Sequence, residues 1–192
     1  MKRILAFDID QTLNVAKTPI TDDIADLLIG CLDHFEICPI SGQKFDQFLI
    51  QIVNRLEDRG VTPEQLSHLH LFVAQGTQYY RYDLAKKDWV QVYNYPLTDE
   101  QVAKITETIE TSAKELGFRE EDKLQEGDEI IENRLSQVTF SALGQHAGTE
   151  AKYAWDPDCK KREKSSLAVS NSPPNLTTKS AAPPLLTLSP LA

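Results

Sequence analysis

Residues Ile4-Leu5-Ala6-Phe7 run straight into two carboxylates, Asp8 and Asp10, with Thr12 two places further on. Four consecutive apolar residues with an abrupt polar end read as a short buried strand. In an open α/β sheet, ligands bind outside the carboxyl ends of the strands. An acidic pair delivered there with a hydroxyl beside it suits Mg²⁺ and a phosphoryl group. The plain alternative is that Asp8 and Asp10 polarise a strand end or cap a turn. An EF-hand loop starting at Asp8 would need a bidentate Glu where Pro19 stands.

The following segments repeat the strand and helix theme. Thr21 is an N-cap candidate, with Asp22 and Asp23 in the first turn, where the helix dipole favours anions. Ile24, Leu27, Leu28, Cys31 and Leu32 recur at helical spacing. Phe35 to Ile40 is a second strand, ending at Ser41-Gly42. Phe45, Phe48, Leu49, Ile52, Val53 and Leu56 form a helical stripe, Thr62-Pro63-Glu64-Gln65 starts a short helix, and Leu69 to Val73 is a third strand. The order β-α-β-α-β predicts a right-handed α/β sheet.

Further on, Tyr79 to Tyr82 and Trp89 to Tyr95 form a hairpin around Lys86-Lys87-Asp88. Thr98 and Gln101 make a second capping box ahead of a helix that Gly117 closes. The acidic run from Arg119 to Glu129 reads as a solvated loop. Ile130-Ile131 and Gln137 to Leu143 are strands, the latter with one buried face because Val138, Phe140 and Ala142 alternate with polar residues.

The first stretch resembles the opening motif of the haloacid dehalogenase-like phosphohydrolases, Asp-x-Asp-x-Thr after a hydrophobic strand. The resemblance implies Asp8 as nucleophile, Asp10 as general acid/base, Thr12 among the phosphate-binding groups, and Mg²⁺ held by Asp8 and Asp10. The family has Gly where this chain has Gln11. Ser41-Gly42 resembles its second motif, whose hydroxyl and backbone N–H groups hold a phosphoryl oxygen.

The implied fold is α/β, a Rossmann-like doubly wound parallel sheet with an inserted α+β cap. The expected divisions are a core over 1–89, the cap over 90–150, a return to the core over 151–164 and a tail over 165–192.

The run from Glu132 to Gln145 resembles the cap segment of eukaryotic-type phosphomannomutases, in which arginines clamp a distal phosphate. Arg134 matches the first such arginine and implies substrate binding. The second position is the neutral Gln145. That favours a phosphatase acting on a small phosphorylated metabolite, a sugar phosphate, over a mutase. The alternative for Arg134 is a hairpin salt bridge.

The family's later Lys motif and Gly-Asp motif have no match beyond residue 150. The expectation is a shortened core with low turnover, or a non-catalytic remnant that still binds phosphate esters. A cation on one side-chain carboxylate and a backbone carbonyl binds weakly. An incomplete sheet leaves a strand edge open to self-association.

Residues 165–192 hold Ser, Pro, Leu, Ala and Thr, with Lys179 as the sole charge, and predict a segment without ordered structure. A net charge of −9 disfavours a nucleic-acid or anionic-membrane partner. No run spans a bilayer, and Cys31, Cys38 and Cys159 lack Cys-x-x-Cys spacing. The reading is a cytoplasmic protein with reduced thiols. His68 and His70, two apart, could share a strand face, but no third ligand lies near them in sequence.

Overall fold

The structure is a computed structural model describing residues 3–15, 18–118, 124, 126, 128–145, 147–161, 163–164, 176–181 and 185–190. It divides into two compact units, Met1–Tyr95 and Pro96–Ala192.

The first unit is built on a five-stranded sheet in the order β1-β2-β3-β4-β5. Its strands are β1 (Arg3–Asp8), β2 (Phe35–Ile40), β3 (His70–Val73), β4 (Gln78–Asp83) and β5 (Asp88–Asn94). β1, β2 and β3 are parallel, and β4 and β5 continue the sheet antiparallel. The parallel strands need long connections, and helices supply them.

Between β1 and β2 runs α1 (Asp22–Leu32). The β2–β3 connection holds α2 (Phe45–Phe48), a π-helical turn (Leu49–Val53), α3 (Asn54–Asp58) and α4 (Pro63–Leu66). The predicted box at Thr62 and Gln65 forms in both directions. The stripe read as one helix is interrupted by the π turn, which brings the polar Gln51 into the core with no exposure.

One apolar cluster joins helices and sheet. Leu28 and Leu32 of α1 meet Phe48, Ile52, Leu56 and Leu66 of the second connection and Ile37, Leu71 and Val73 of the strands. Each of these side chains contributes about 1.5–3 kcal/mol by leaving water. The alternating residues Ile4, Glu36, His70 and Phe72 project from the other face. β1, which its apolar run predicts to be buried, is an edge strand with no buried residue, and Ile4 on this face is 67% exposed.

In the second unit, α5 (Asp99–Glu115) starts at the predicted Thr98–Gln101 box and packs on β7 (Val138–Ser141). β6 (Ile131–Asn133) pairs antiparallel with β7. α6 (Thr149–Trp155) follows, and Trp155 meets Phe118 edge to face.

Several expectations change here. The division falls after Tyr95 rather than after Trp89, because β5 completes the β4 hairpin. β7 is buried on both faces rather than one, Thr139 and Ser141 included, and β6 and β9 pair with its two edges. The tail, whose composition predicts no ordered structure, contributes strands. β8 (Leu176–Ala181) and β9 (Leu185–Pro190) form an antiparallel pair, with β9 beside β7. Composition describes the tail in isolation, whereas β7 supplies a backbone ladder for it. Within the acidic run, residues 119–123, 125 and 127 lie outside the described residues. Asp128 accepts from the Gln145 N–H at 2.8 Å, so that end of the run is tied down. Among the described residues, no helix is long and apolar enough to cross a membrane.

Candidate functional site at the carboxyl ends of the parallel strands

Asp8 is the last residue of β1 and is exposed. Its Oδ1 accepts from the Ile9 N–H at 2.9 Å. Ile9 is fully buried. Its carbonyl gathers the N–H groups of Thr12, Leu13 and Asn14 at 3.2, 2.9 and 3.3 Å, closing the chain into a tight turn. Ile9 thus anchors the turn while its neighbours, Asp8 and Asp10, stay at the rim.

Within that turn, Gln11 has φ of 61°, in the left-handed region that glycine occupies without strain. The turn needs this backbone at the position where the resembling motif carries Gly.

Ser41 leaves β2 beside this turn. Its N–H donates to the Phe72 carbonyl at 3.2 Å, and its own carbonyl accepts from the Gln75 N–H at 2.8 Å. The Gln43 carbonyl accepts from the Ala74 N–H at 3.0 Å. Those bonds lock the loop after β2 to the turn after β3, where Ala74, Gln75 and Gly76 all have positive φ. Ser41 is 6% exposed, and its Oγ accepts from the Gln43 N–H at 3.4 Å. Thr12 is exposed and Gly42 half-buried.

A bond absent from the sequence reading joins the first two loops. Gln43 Nε2 donates to Asp10 Oδ2 at 2.6 Å. Behind it, Gln51 Nε2 donates to Gln43 Oε1 at 2.7 Å, and Asn14 Nδ2 donates to Gln51 Oε1 at 3.1 Å. The available signal was Gln51 itself, an amide three residues after Phe48 in an otherwise apolar helical stripe.

Arg134 belongs to the second unit and is described there. It follows β6, and Nε donates to Glu132 Oε2 at 2.6 Å. A terminal nitrogen reaches Gln145 Oε1 at 3.3 Å. The Arg134 side chain is 10% exposed. The two positions matched to cap arginines are therefore in contact with each other, and a carboxylate offsets the positive charge.

His68 and His70 do share a partner. Glu36 faces His68 Nδ1 at 3.1 Å and His70 Nε2 at 2.9 Å, and the Tyr79 hydroxyl lies 2.6 Å from His70 Nδ1. Burial pushes the Glu36 carboxyl up, but the hydrogen bonds and charges of His70 and His68 outweigh it and hold the group below its ordinary value. Among the described residues, no three His, Cys, Asp or Glu side chains are arranged to hold a metal ion. A groove of about 440 Å³ opens beside Arg55, between Pro19–Thr21 and α3, and neither Asp8 nor Asp10 lines it.

No protein-family model matches the sequence, and no characterised protein matches it in sequence. The likeness is in the fold. Plasmodium falciparum IMP-nucleotidase matches with a TM-score of 0.63 at 12% identity, over 98% of this chain and 47% of that one. A haloacid dehalogenase-like hydrolase from Bacteroides thetaiotaomicron matches at 0.53 and 12%, over 100% of this chain and 72% of that one. The C-terminal domain of a Candida albicans trehalose synthase regulatory protein matches at 0.53 and 12%, over 98% and 56%. The chain spans about half the length of the nucleotidase. At these identities the comparison establishes the fold, which is shared with haloacid dehalogenase-like hydrolases.

Proposed function

We propose that this chain is a phosphoric monoester hydrolase of the haloacid dehalogenase type, acting on a small phosphorylated metabolite, with a sugar phosphate as the preferred class. The observation that carries the reading is the placing of Asp8 and Asp10 at the carboxyl end of β1, with Ser41–Gly42 leaving the adjacent parallel strand. Fold neighbours named as a nucleotidase and a hydrolase support the same chemistry.

An Asp8 carboxylate oxygen attacks phosphorus while the ester P–O bond breaks, and Asp10 gives a proton to the leaving oxygen. Asp10 then takes a proton from water as the water oxygen attacks phosphorus. The Asp8 O–P bond breaks and the carboxylate is restored. Thr12, Ser41 and the Gly42 backbone are assigned to the phosphoryl oxygens.

Mg²⁺ is commonly bound through one or two carboxylates, with water and substrate phosphate completing the shell. Asp8 through its carboxylate and Asp10 through its backbone carbonyl would supply two oxygen donors to such a shell. When bound, the ion would offset the repulsion between a carboxylate and a phosphate dianion. Arg134 is assigned to substrate selection as part of the Glu132–Arg134–Gln145 set, whose charge is partly offset. The edge position of β1 supports self-association as a further property of this chain.

The test is hydrolysis of an aryl phosphate with Mg²⁺ by the wild type and by Asp8→Asn. Low turnover that chelation and Asp8→Asn both abolish is expected. Turnover unchanged in Asp8→Asn would overturn the proposal. Turnover seen only with an added sugar bisphosphate would favour a phosphomannomutase-like phosphotransferase. Calorimetric binding of phosphate esters without turnover would favour a non-catalytic binding module.

A further inference from the structure

The amides behind Asp10 form a chain with one direction. Asn14 donates to Gln51, Gln51 to Gln43, and Gln43 to the Asp10 carboxylate, at 3.1, 2.7 and 2.6 Å. Asp10 Oδ2 is the acceptor of the last bond, and that fixes the donor and acceptor ends of every amide upstream of it. Gln51 is fully buried and Gln43 is 8% exposed. Amides in such a place are costly unless bonded, and a leucine or methionine at 51 would fill similar space without that cost. Bonds in a chain also polarise one another, so the link to the carboxylate gains from those behind it.

Backbone geometry converges on the same point. Gln51 lies in the π-helical turn, where the Asn54 N–H bonds to the Leu49 carbonyl. Such turns recur at functional sites. The Gln51 carbonyl accepts from the Ile20 N–H at 2.9 Å, so the turn is tied to the loop that follows β1 by main chain as well as by Asn14.

We infer that Asn14, Gln51 and Gln43 are positioning residues that hold the Asp10 carboxylate in one orientation for proton transfer. The inference rests on Asp10 being the acid and base proposed above. A residue that acts only through packing would affect all substrates alike. A residue that aims a general acid matters most when the leaving oxygen needs a proton.

The experiment compares the wild type with Gln51→Met and Gln43→Met on a primary alkyl phosphate and on 4-nitrophenyl phosphate, whose leaving group departs without help. The kcat/KM, which reports the step in which the leaving oxygen departs, is expected to fall about 10- to 100-fold for the alkyl phosphate and less than about 3-fold for the aryl phosphate. Equal losses on both substrates would overturn the inference. A second readout needs no turnover: the side-chain amide NMR signals of Gln43 and Gln51 in the folded chain. Asp10→Asn should move both signals, and an unmoved Gln51 signal would sink the chain of bonds. If the wild type lacks Asp8-dependent turnover, or if the methionine variants unfold, the spectrum of Asp10→Asn decides the inference alone. The first of these results would be a failure of the proposed function, not of the positioning chain.

Discussion

Arg134, directly after β6, donates from Nε to Oε2 of Glu132 within that strand at 2.6 Å. Both side chains are largely withdrawn from water, at 10% and 18% exposure. Removing one member costs the other this bond in a poorly solvated place. Arg134→Ala is therefore expected to lower the unfolding free energy by about 1–3 kcal/mol, read from urea unfolding. A change within about 0.5 kcal/mol would place Arg134 with ordinary surface residues.

Two glycines in opposite settings give opposite expectations. Gly144 has φ of 89°, and a Cβ there would collide with Asp128 Oδ2. That carboxylate also accepts the Gln145 N–H at 2.8 Å. Gly144→Ala should cost about 2–3 kcal/mol, combining left-handed strain with the loss of that bond. Gly30 lies in α1, and a methyl group added to it would meet no atom within 4 Å. Gly30→Ala should stabilise by about 0.5–1 kcal/mol, because alanine loses less entropy in a helix. Thermal midpoints moving in the same direction for both variants would contradict the account.

Gln11 carries its strain at the rim of the site, with φ of 61°. Gln11→Gly should be neutral or raise stability by up to about 1 kcal/mol, since relief of left-handed strain is set against a more flexible unfolded chain. Gln11→Val should lower it by more than about 1 kcal/mol, because a branched Cβ suits that backbone poorly. Denaturant midpoints of the two variants, measured side by side, check the ordering.

Burial raises the Tyr79, Tyr80 and Tyr93 hydroxyls above the ordinary tyrosine value, in Tyr79 against the opposing pull of Arg81. The unfolded chain therefore releases these protons first. Their contribution to stability is full below about pH 10 and is lost as pH rises through the folded values. Urea midpoints should hold steady from about pH 8 to about pH 9 and then fall, as tyrosinate absorbance in the folded chain lags that of the unfolded chain. Coincident tyrosinate titrations in the two states would remove the basis for this.

Local pattern carried much of the first unit. The run Ile4 to Phe7 identified β1, and the carboxylates directly after it could only fall at its carboxyl end. Thr62 with Gln65 and Thr98 with Gln101 marked two helix starts, since a capping box is a contact between residues three apart. The tail shows the opposite case. Nothing inside residues 176–190 announced strands, because the ladder that β9 joins belongs to β7, far earlier in the chain.

The sequence by itself determined that two carboxylates and a hydroxyl follow an apolar strand, and that helices of given phase connect it to the next. These are matters of short-range spacing, which each segment expresses alone. Only the tertiary structure decided that Gln43 reaches Asp10 across 33 positions and Asn14 reaches Gln51 across 37, or that Arg134 faces Glu132 and Gln145. An amide or a guanidinium has several possible partners along a chain. Packing selects one, because inside the fold an unmet donor or acceptor is costlier than the ordering needed to meet it.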